Sequence, residues 1–171
     1  MDERVIVVNM AQLEVSGRAG DVLTALGLGS CVAVCAYDRS VRLGGMVHVV
    51  LPSSAIARPK DSRAKFADVG VPRLVEEMEK RGATRRGMRV AVIGGANVLA
   101  SANHGGAPDI GRRNAAAVRA ALESEGLSSV EGEVGGKVSR TARLRVANGE
   151  VTVRTARAAE TVVAALGRED E

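Results

Sequence analysis

Two short apolar runs, separated by a polar break, constrain the fold more than any other feature of this chain. Residues 32–37 read VAVCAY, residues 43–51 read LGGMVHVVL, and the break begins Asp38-Arg39-Ser40. Runs rich in β-branched residues on either side of a polar break are typical of a β-hairpin. The sequence therefore predicts two antiparallel strands at this point.

The predicted hairpin brings a cysteine close to a histidine. If the turn centres on Arg39 and Ser40, Cys31 lies directly opposite His48, on the same face and with the two Cβ atoms about 4.5–5.5 Å apart. The imidazole can then take the thiol proton, or hold an ion pair that lowers the thiol pKa, and the thiolate is the nucleophilic form. A slip of one residue would place the two side chains on opposite faces.

A glycine-rich bend, Gly27-Leu28-Gly29-Ser30, leads directly into Cys31. A nucleophile on a sharp bend is exposed, and backbone N–H groups at a bend can face a developing oxyanion, a role that we assign to the Ser30 region. The alternative is a buried strand cysteine and a core histidine, with glycines that only make a turn, since free cysteine is among the most buried residue types.

The rest of the chain predicts further strands, two main helices and a late hairpin. Apolar residues recur at helical spacing in residues 64–81 and 109–125, and a glycine follows each stretch. Residues 158–166 predict a short C-terminal helix that leads into a charged tail. Further strands are expected at residues 5–10, 12–15, 22–26, 88–93, 129–134, 142–146 and 151–155, the last two joined by a turn that carries Asn-Gly. The sum is one α+β domain over residues 1–171, layered, with mixed and mostly antiparallel sheets.

Composition excludes several classes of function. The 171 residues hold 24 Lys plus Arg against 20 Asp plus Glu, and the only aromatic residues are one Tyr and one Phe. Scattered arginines without aromatic residues do not make a nucleic-acid surface, which needs a concentrated basic patch or stacking platforms. No signal pattern opens the chain and no apolar run approaches the ~20 residues of a membrane span, so we expect a soluble, cytoplasmic protein.

The two cysteines allow a weaker, alternative interpretation as a metal site. Cys31 and Cys35, with three residues between them, have a spacing found at zinc sites, and His48 and the loop histidine His104 would complete the ligand set. On the predicted strand, however, Cys31 and Cys35 lie about 13 Å apart, which argues against a shared metal and also excludes a disulfide between them. A nucleotide site is disfavoured as well, because neither glycine pair continues into a phosphate-binding fingerprint.

Blocks spread over most of the chain resemble the chemoreceptor glutamine deamidase family, CheD. Their order and spacing are far more specific than a lone Cys and His. The blocks are residues 26–34 (LGLGSCVAV), 44–46 (GGM) with His48, 51–52 (LP), 66–68 (FAD), 74–78 (LVEEM), 94–97 (GGAN), 110–114 (IGRRN) and 134–136 (VGG) with Arg140.

The resemblance implies a function and a fold. It implies a layered fold shared with bacterial toxin deamidases, with papain-like catalytic geometry, and hydrolysis of receptor glutamine side chains to glutamate by Cys31 and His48. It implies no metal or organic cofactor. The partners that it implies are methyl-accepting chemotaxis receptors as substrates and a CheC-like phosphatase. The alternative function is a non-catalytic module that binds and stimulates such a phosphatase.

One departure from the family pattern bears on the candidate site. The family has Thr six residues before the cysteine, where this chain has Ala25, with Thr24 just before it. A third group is expected to orient the imidazole. If that group is a side-chain hydroxyl, this chain lacks it at position 25; if it is a main-chain carbonyl, Ala25 can supply it.

Overall fold

Ten strands and two α-helices make up the part of the chain that the computed structural model describes, residues 2–98, 109–130 and 132–169. Single-turn 3₁₀ helices, Ser54–Ile56 and Arg63–Lys65, precede the first α-helix. In chain order the elements are β1 (Arg4–Val7), β2 (Leu13–Ser16), β3 (Asp21–Leu28), β4 (Val32–Asp38), β5 (Leu43–Val49), α1 (Ala67–Lys80), β6 (Met88–Gly94), α2 (Ile110–Ser124), β7 (Ser129–Val130), β8 (Arg140–Arg145), β9 (Glu150–Thr155) and β10 (Ala158–Ala165).

The strands form two five-stranded sheets. One sheet has the order β1-β3-β8-β9-β10 and the other has the order β2-β5-β4-β6-β7. Only β1 with β3 and β6 with β7 pair in parallel, and the other neighbours are antiparallel. The predicted α+β fold, with mixed and mostly antiparallel sheets and two main helices, is confirmed.

The central strand β4 is buried along its whole length because both of its faces are covered. Val32 and Val34 face the two helices, in a core that includes Leu74 of α1 and Val118 of α2. Side chains at odd positions, such as Ala33, face the sheet that contains β3 and β8. The layers are therefore helices, sheet and sheet. Among the described helices, none is both long enough and apolar enough to span a membrane.

The β4–β5 turn is longer than the sequence predicts. Residues 39–42 form a four-residue connection, and Arg42 has a φ of 50°. The buried Asp38 carboxylate accepts hydrogen bonds from the N–H and hydroxyl of Ser40, at 2.9 and 2.6 Å, and from the N–H of Thr84 at 2.9 Å. These bonds hold the turn against the α1–β6 connection, so a two-residue turn centred on Arg39 and Ser40 does not form.

The longer turn changes the pairing of the two strands. His48 lies opposite Ala33, and the last pair of the ladder is Val32 with Val49. The prediction that Cys31 lies directly opposite His48 is therefore wrong. The register differs by two partner positions, however, and side chains alternate between faces with a period of two. If the register is continued by one residue, Cys31 lies opposite Val50. Cys31 and Ala33 are two residues apart and so share a face, and Ala33 is paired with His48. The predicted shared face of Cys31 and His48 is therefore kept.

The C-terminal segment is a strand, and the predicted helix over residues 158–166 is wrong. β10 pairs antiparallel with β9, with register irregularities between Ala158 and Thr161 and between Val162 and Ala164. Its alanines favour a helix, but the middle of the segment is β-branched and the edge of β9 offers unpaired backbone groups. Pairing with that edge decides the outcome.

At the end of β6, three backbone segments lie so close together that there is no room for side chains between them. A Cβ atom on Gly94 would lie 2.3 Å from the carbonyl oxygen of Cys31, and one on Gly111 would lie 2.4 Å from the carbonyl oxygen of Ala96. Gly95 lies between the two layers, with a φ of 66°, in the left-handed region that glycine tolerates. The first turn of α2 is therefore pressed against the loop that supports Cys31.

Gly111→Ala tests this contact, because helix propensity and packing predict changes in protein stability of opposite sign. Propensity alone favours alanine in a helix by about 1 kcal/mol. The clash with rigid backbone atoms should instead destabilise the protein by about 1–3 kcal/mol, which lowers Tm by about 2–4 °C for each kcal/mol in a chain of this size. Thermal unfolding followed by circular dichroism measures the change.

Gly17→Ala is the matched control, because a Cβ atom there would meet its nearest neighbour, Leu43, at 3.6 Å. Its Tm should stay close to that of the wild type. A Gly111→Ala protein as stable as the wild type would show that the α2 contact is loose.

Candidate active site

His48 lies near the end of β5 and points between the two sheets. Its side chain is 3% exposed, and its Nδ1 lies 2.9 Å from the carbonyl oxygen of Val8. A carbonyl can only accept, so Nδ1 carries the hydrogen and Nε2 is left with its lone pair. Val8 is itself held in place, because its N–H donates to the carbonyl of Thr24 at 2.8 Å. The imidazole is thus fixed in one tautomer by the other sheet.

Cys31 lies on the bend between β3 and β4 and is half-buried. Its side chain packs against the same intersheet core as Ala33 and Cys35. His48 is paired with Ala33, so the thiol and the imidazole are diagonal neighbours on one face of the sheet. Diagonal neighbours in an antiparallel pair lie about 7–8 Å apart, within reach of long side chains.

The bend is anchored through its carbonyl groups. The carbonyl of Gly29 accepts from the N–H of Ala96 at 2.8 Å, and that of Cys31 accepts from the N–H of Gly95 at 2.9 Å. The carbonyl of Ser30 accepts from Asn114 Nδ2 at 2.9 Å. With the three carbonyls tied to the protein interior, the bend has a defined shape although Ser30 itself is exposed.

Burial shifts both titrating groups towards their neutral forms. Desolvation raises the pKa of the Cys31 thiol, and a hydrogen bond from the N–H of Cys31 partly offsets it. Desolvation also lowers the pKa of His48, against a smaller rise from the bond to Val8. Both shifts favour a neutral thiol and a neutral imidazole in the resting protein, which disfavours a standing ion pair between them.

The carbonyl that contacts the imidazole belongs to a residue that the sequence analysis did not single out. Val8, just beyond β1, supplies the carbonyl at His48 Nδ1. Ala25 is fully buried in β3, where it lies opposite Ala142, and its link to the imidazole is indirect, through the Thr24 carbonyl that holds Val8. No local signal marks Val8, because a main-chain carbonyl can come from any residue. Its place beside His48 arises from the packing of one sheet on the other.

The residues of the zinc interpretation are not gathered in the described ranges. Within residues 2–98, 109–130 and 132–169, no three His, Cys, Asp or Glu side chains are placed to share a metal ion. Cys35 is completely buried, and desolvation raises its pKa to about 12, which disfavours the thiolate that zinc requires. His104 lies outside the described residues. Both cysteines are free thiols.

Known proteins match this chain over most of its length. A family model described as CheD chemotactic sensory transduction matches residues 50–155. The chain is 41% identical to the probable chemoreceptor glutamine deamidase CheD of Symbiobacterium thermophilum, over 90% of this chain and 94% of the relative. It is 40% identical to the probable chemoreceptor glutamine deamidase CheD 2 of Anaeromyxobacter dehalogenans, over 88% of this chain and 94% of that relative.

Among solved structures, the crystal structure of the hypothetical protein YfiH of Bacillus licheniformis aligns with a TM-score of 0.45 and 13% identity. The alignment covers 78% of this chain and 59% of that chain.

The two lines of sequence comparison agree on one family. The family-model match begins after Cys31 and His48, but the match to the Symbiobacterium relative omits only a tenth of this chain, so both residues lie within it. The model spans more than half of the chain, and the relatives are matched almost from end to end. The chain belongs to the CheD family.

Proposed function

We propose that this protein hydrolyses glutamine side chains of chemoreceptors to glutamate and ammonia, through a thioester on Cys31. The names of its relatives, probable chemoreceptor glutamine deamidases, support the substrate. The observation that carries the chemistry is the hydrogen bond between His48 Nδ1 and the Val8 carbonyl, which leaves Nε2 as a base on the face that Cys31 shares.

In the first half of the reaction, Nε2 of His48 takes the proton of the Cys31 thiol as Sγ attacks the carboxamide carbon. The carbonyl oxygen of the substrate becomes an oxyanion, which the backbone N–H groups of Ser30 and Cys31 stabilise. The imidazolium then gives its proton to the leaving nitrogen, the C–N bond breaks, and ammonia departs. Cys31 is left as a thioester.

In the second half, water replaces ammonia. Nε2 takes a proton from water as the oxygen attacks the thioester carbon. The C–S bond breaks, and the imidazolium returns the proton to sulfur. The products are a glutamate side chain and the free enzyme. The two steps of the reaction therefore need no external oxidant, reductant or cofactor.

The surroundings of the bend suit a substrate that presents a glutamine on the surface of a helix. The large exposed apolar side chains near the site are Leu26, Val98 and Met10, with exposed fractions of 55, 45 and 64%. Leu26 lies in β3, just before the bend. Cγ2 of Val98 would lie 3.3 Å from a Cβ atom on Gly29. Met10 precedes Ala11, whose N–H donates to the His48 carbonyl. Exposed apolar side chains beside the bend favour docking of a protein surface over capture of a small molecule.

The proposed substrate also places the enzyme. We propose that the protein deamidates cytoplasmic segments of the receptors and therefore acts in the cytoplasm. A CheC-like phosphatase is a further proposed partner, which follows from membership of the family. Loss of deamidation with intact binding to such a phosphatase would favour the alternative function as a stimulating module.

The direct test is ammonia release from a chemoreceptor cytoplasmic fragment, with peptide mass mapping of each Gln that becomes Glu. Wild type should release ammonia, Cys31→Ala should release none, and His48→Ala should be slower by about 10²–10⁴-fold. Cys35→Ala is the matched control, since Cys35 is buried and should keep most of the activity. A folded wild-type protein that leaves every receptor glutamine intact would contradict the proposal.

The pH dependence of Cys31 alkylation by iodoacetamide tests the neutral resting pair. Burial raises the thiol pKa, so the midpoint should lie above the ~8.5 of an exposed cysteine. His48→Ala should move the midpoint little, because a neutral imidazole does not stabilise a thiolate. Cys31→Ala gives the background from Cys35. A wild-type midpoint well below 8.5 that rises in His48→Ala would show a thiolate–imidazolium pair instead.

Ala25→Gly tests whether Ala25 orients the imidazole. The carbonyl at Nδ1 belongs to Val8, and the variant keeps every backbone carbonyl, so kcat should stay within about threefold of the wild type. The fold should lose about 0.5–1 kcal/mol, the usual effect of glycine in a strand. A loss of kcat far beyond this, in a folded protein, would give Ala25 a role in the site.

A further inference from the structure

Asn114, the fifth residue of α2, reaches the catalytic bend from beneath. Its side chain is 0% exposed. The amide nitrogen Nδ2 donates two hydrogen bonds of 2.9 Å, one to the carbonyl of Ser30 and one to the carbonyl of Val50. One amide group therefore joins the peptide before Cys31 to the chain just beyond His48.

The orientation of this amide follows from its partners. Both are carbonyl oxygens, which can only accept, so the NH₂ group and not the oxygen must face them. Within the described structure, the oxygen Oδ1 is buried and has no hydrogen-bond partner. A buried amide with an unbonded oxygen carries a free-energy cost. The two bonds that Nδ2 makes are therefore the interactions that this side chain provides at the site.

The two hydrogen bonds of Asn114 lie where the β4–β5 ladder ends. The last backbone pair is Val32 with Val49. Beyond it β5 turns away, and the N–H groups of Val50 and Leu51 both bind the carbonyl of Lys65, at 2.8 and 3.0 Å. The ladder can no longer hold the bend against this end of β5, and Asn114 does so instead.

The bond to Ser30 also fixes a neighbouring donor. In a trans peptide the C=O and N–H groups point in opposite directions. Because the Ser30 carbonyl points inward to Asn114, the N–H of Cys31 points outward, towards the half-buried thiol. The same N–H lowers the pKa of the thiol by a hydrogen bond, which agrees with this direction.

We propose that Asn114 is a positioning residue for the deamidation. Its two hydrogen bonds turn the Cys31 N–H towards the oxyanion and set the spacing between the bend that carries Cys31 and the strand end that carries His48. The inference rests on the proposed function. Asn114 would contribute to the reaction through the backbone that it holds, without contacting the substrate or the reacting atoms.

The close glycine contact explains how a helix residue reaches a strand bend. Gly111 lies one turn before Asn114 and has no room for a Cβ atom against Gly95 and Ala96. Any larger residue at Gly111 would move α2 outward and lengthen both bonds of Asn114. The glycine contact and the amide bridge therefore act together.

The test compares Asn114→Asp and Asn114→Ala with the wild type. Asn114→Asp keeps the volume but sets carboxylate oxygens against two carbonyls, and Asn114→Ala removes the donors without new repulsion. In the folded variants, kcat on the receptor fragment should fall about tenfold or more with KM within about threefold, because a misdirected donor weakens the transition state and not substrate binding. The Cys31 alkylation rate at pH 8 should fall about threefold or more.

Val118→Ala is the matched control. Val118 lies one turn further along α2, is 0% exposed and packs in the core between the helices and the sheet. It should lower Tm as much as Asn114→Ala and leave both kcat and alkylation near wild type. If Val118→Ala lowers kcat equally at an equal loss of Tm, or if folded Asn114→Ala keeps kcat within twofold, the proposal is overturned.

The alkylation arm separates this proposal from the proposed function, because iodoacetamide needs no receptor. A wild type that releases no ammonia would contradict the deamidase function. Slower alkylation in Asn114→Ala but not in Val118→Ala would still support the orientation of the Cys31 peptide, and equal alkylation in all three proteins would refute it.

Discussion

The close backbone contacts of Gly94 with Cys31 and of Gly111 with Gly95 and Ala96 are the constraint on which the candidate site depends. At Gly94 a Cβ atom would lie 2.3 Å from the Cys31 carbonyl, and at Gly111 one would lie 2.4 Å from Ala96. Only glycines permit this layering of a bend, a strand end and a helix. It brings the first turns of α2 beneath the bend and gives Asn114 its reach to the Ser30 carbonyl.

The second requirement is the packing of one sheet on the other. His48 belongs to one sheet, whereas the carbonyl that fixes its tautomer comes from Val8, beside β1 of the other. Neither sheet alone would hold the imidazole with Nε2 free. The geometry around His48 thus needs both sheets, packed against each other.

Burial decides the electrostatics of the pair. Desolvation raises the thiol pKa and lowers the imidazole pKa, so both groups rest neutral. In the proposed reaction, charge appears on them only as the reaction proceeds. Charges that develop late are best stabilised by dipoles already in place. The anchored bend supplies such dipoles, because its carbonyls are tied inward to Ala96, Asn114 and Gly95.

The sequence by itself determined most elements. It placed Cys31 and His48 on one face although its register was wrong, because the predicted and observed registers differ by two positions and side chains alternate with a period of two. Tertiary structure decided the rest. The turn length depends on bonds from Asp38 to the distant Thr84, and the orienting carbonyl of Val8 carries no side-chain signal. The alanine-rich segment at 158–165 became β10 because the edge of β9 was open to pairing. The first two outcomes depend on groups far apart in the chain, and the third depends on pairing with the neighbouring strand β9, so none of them is encoded in the local pattern of the segment itself.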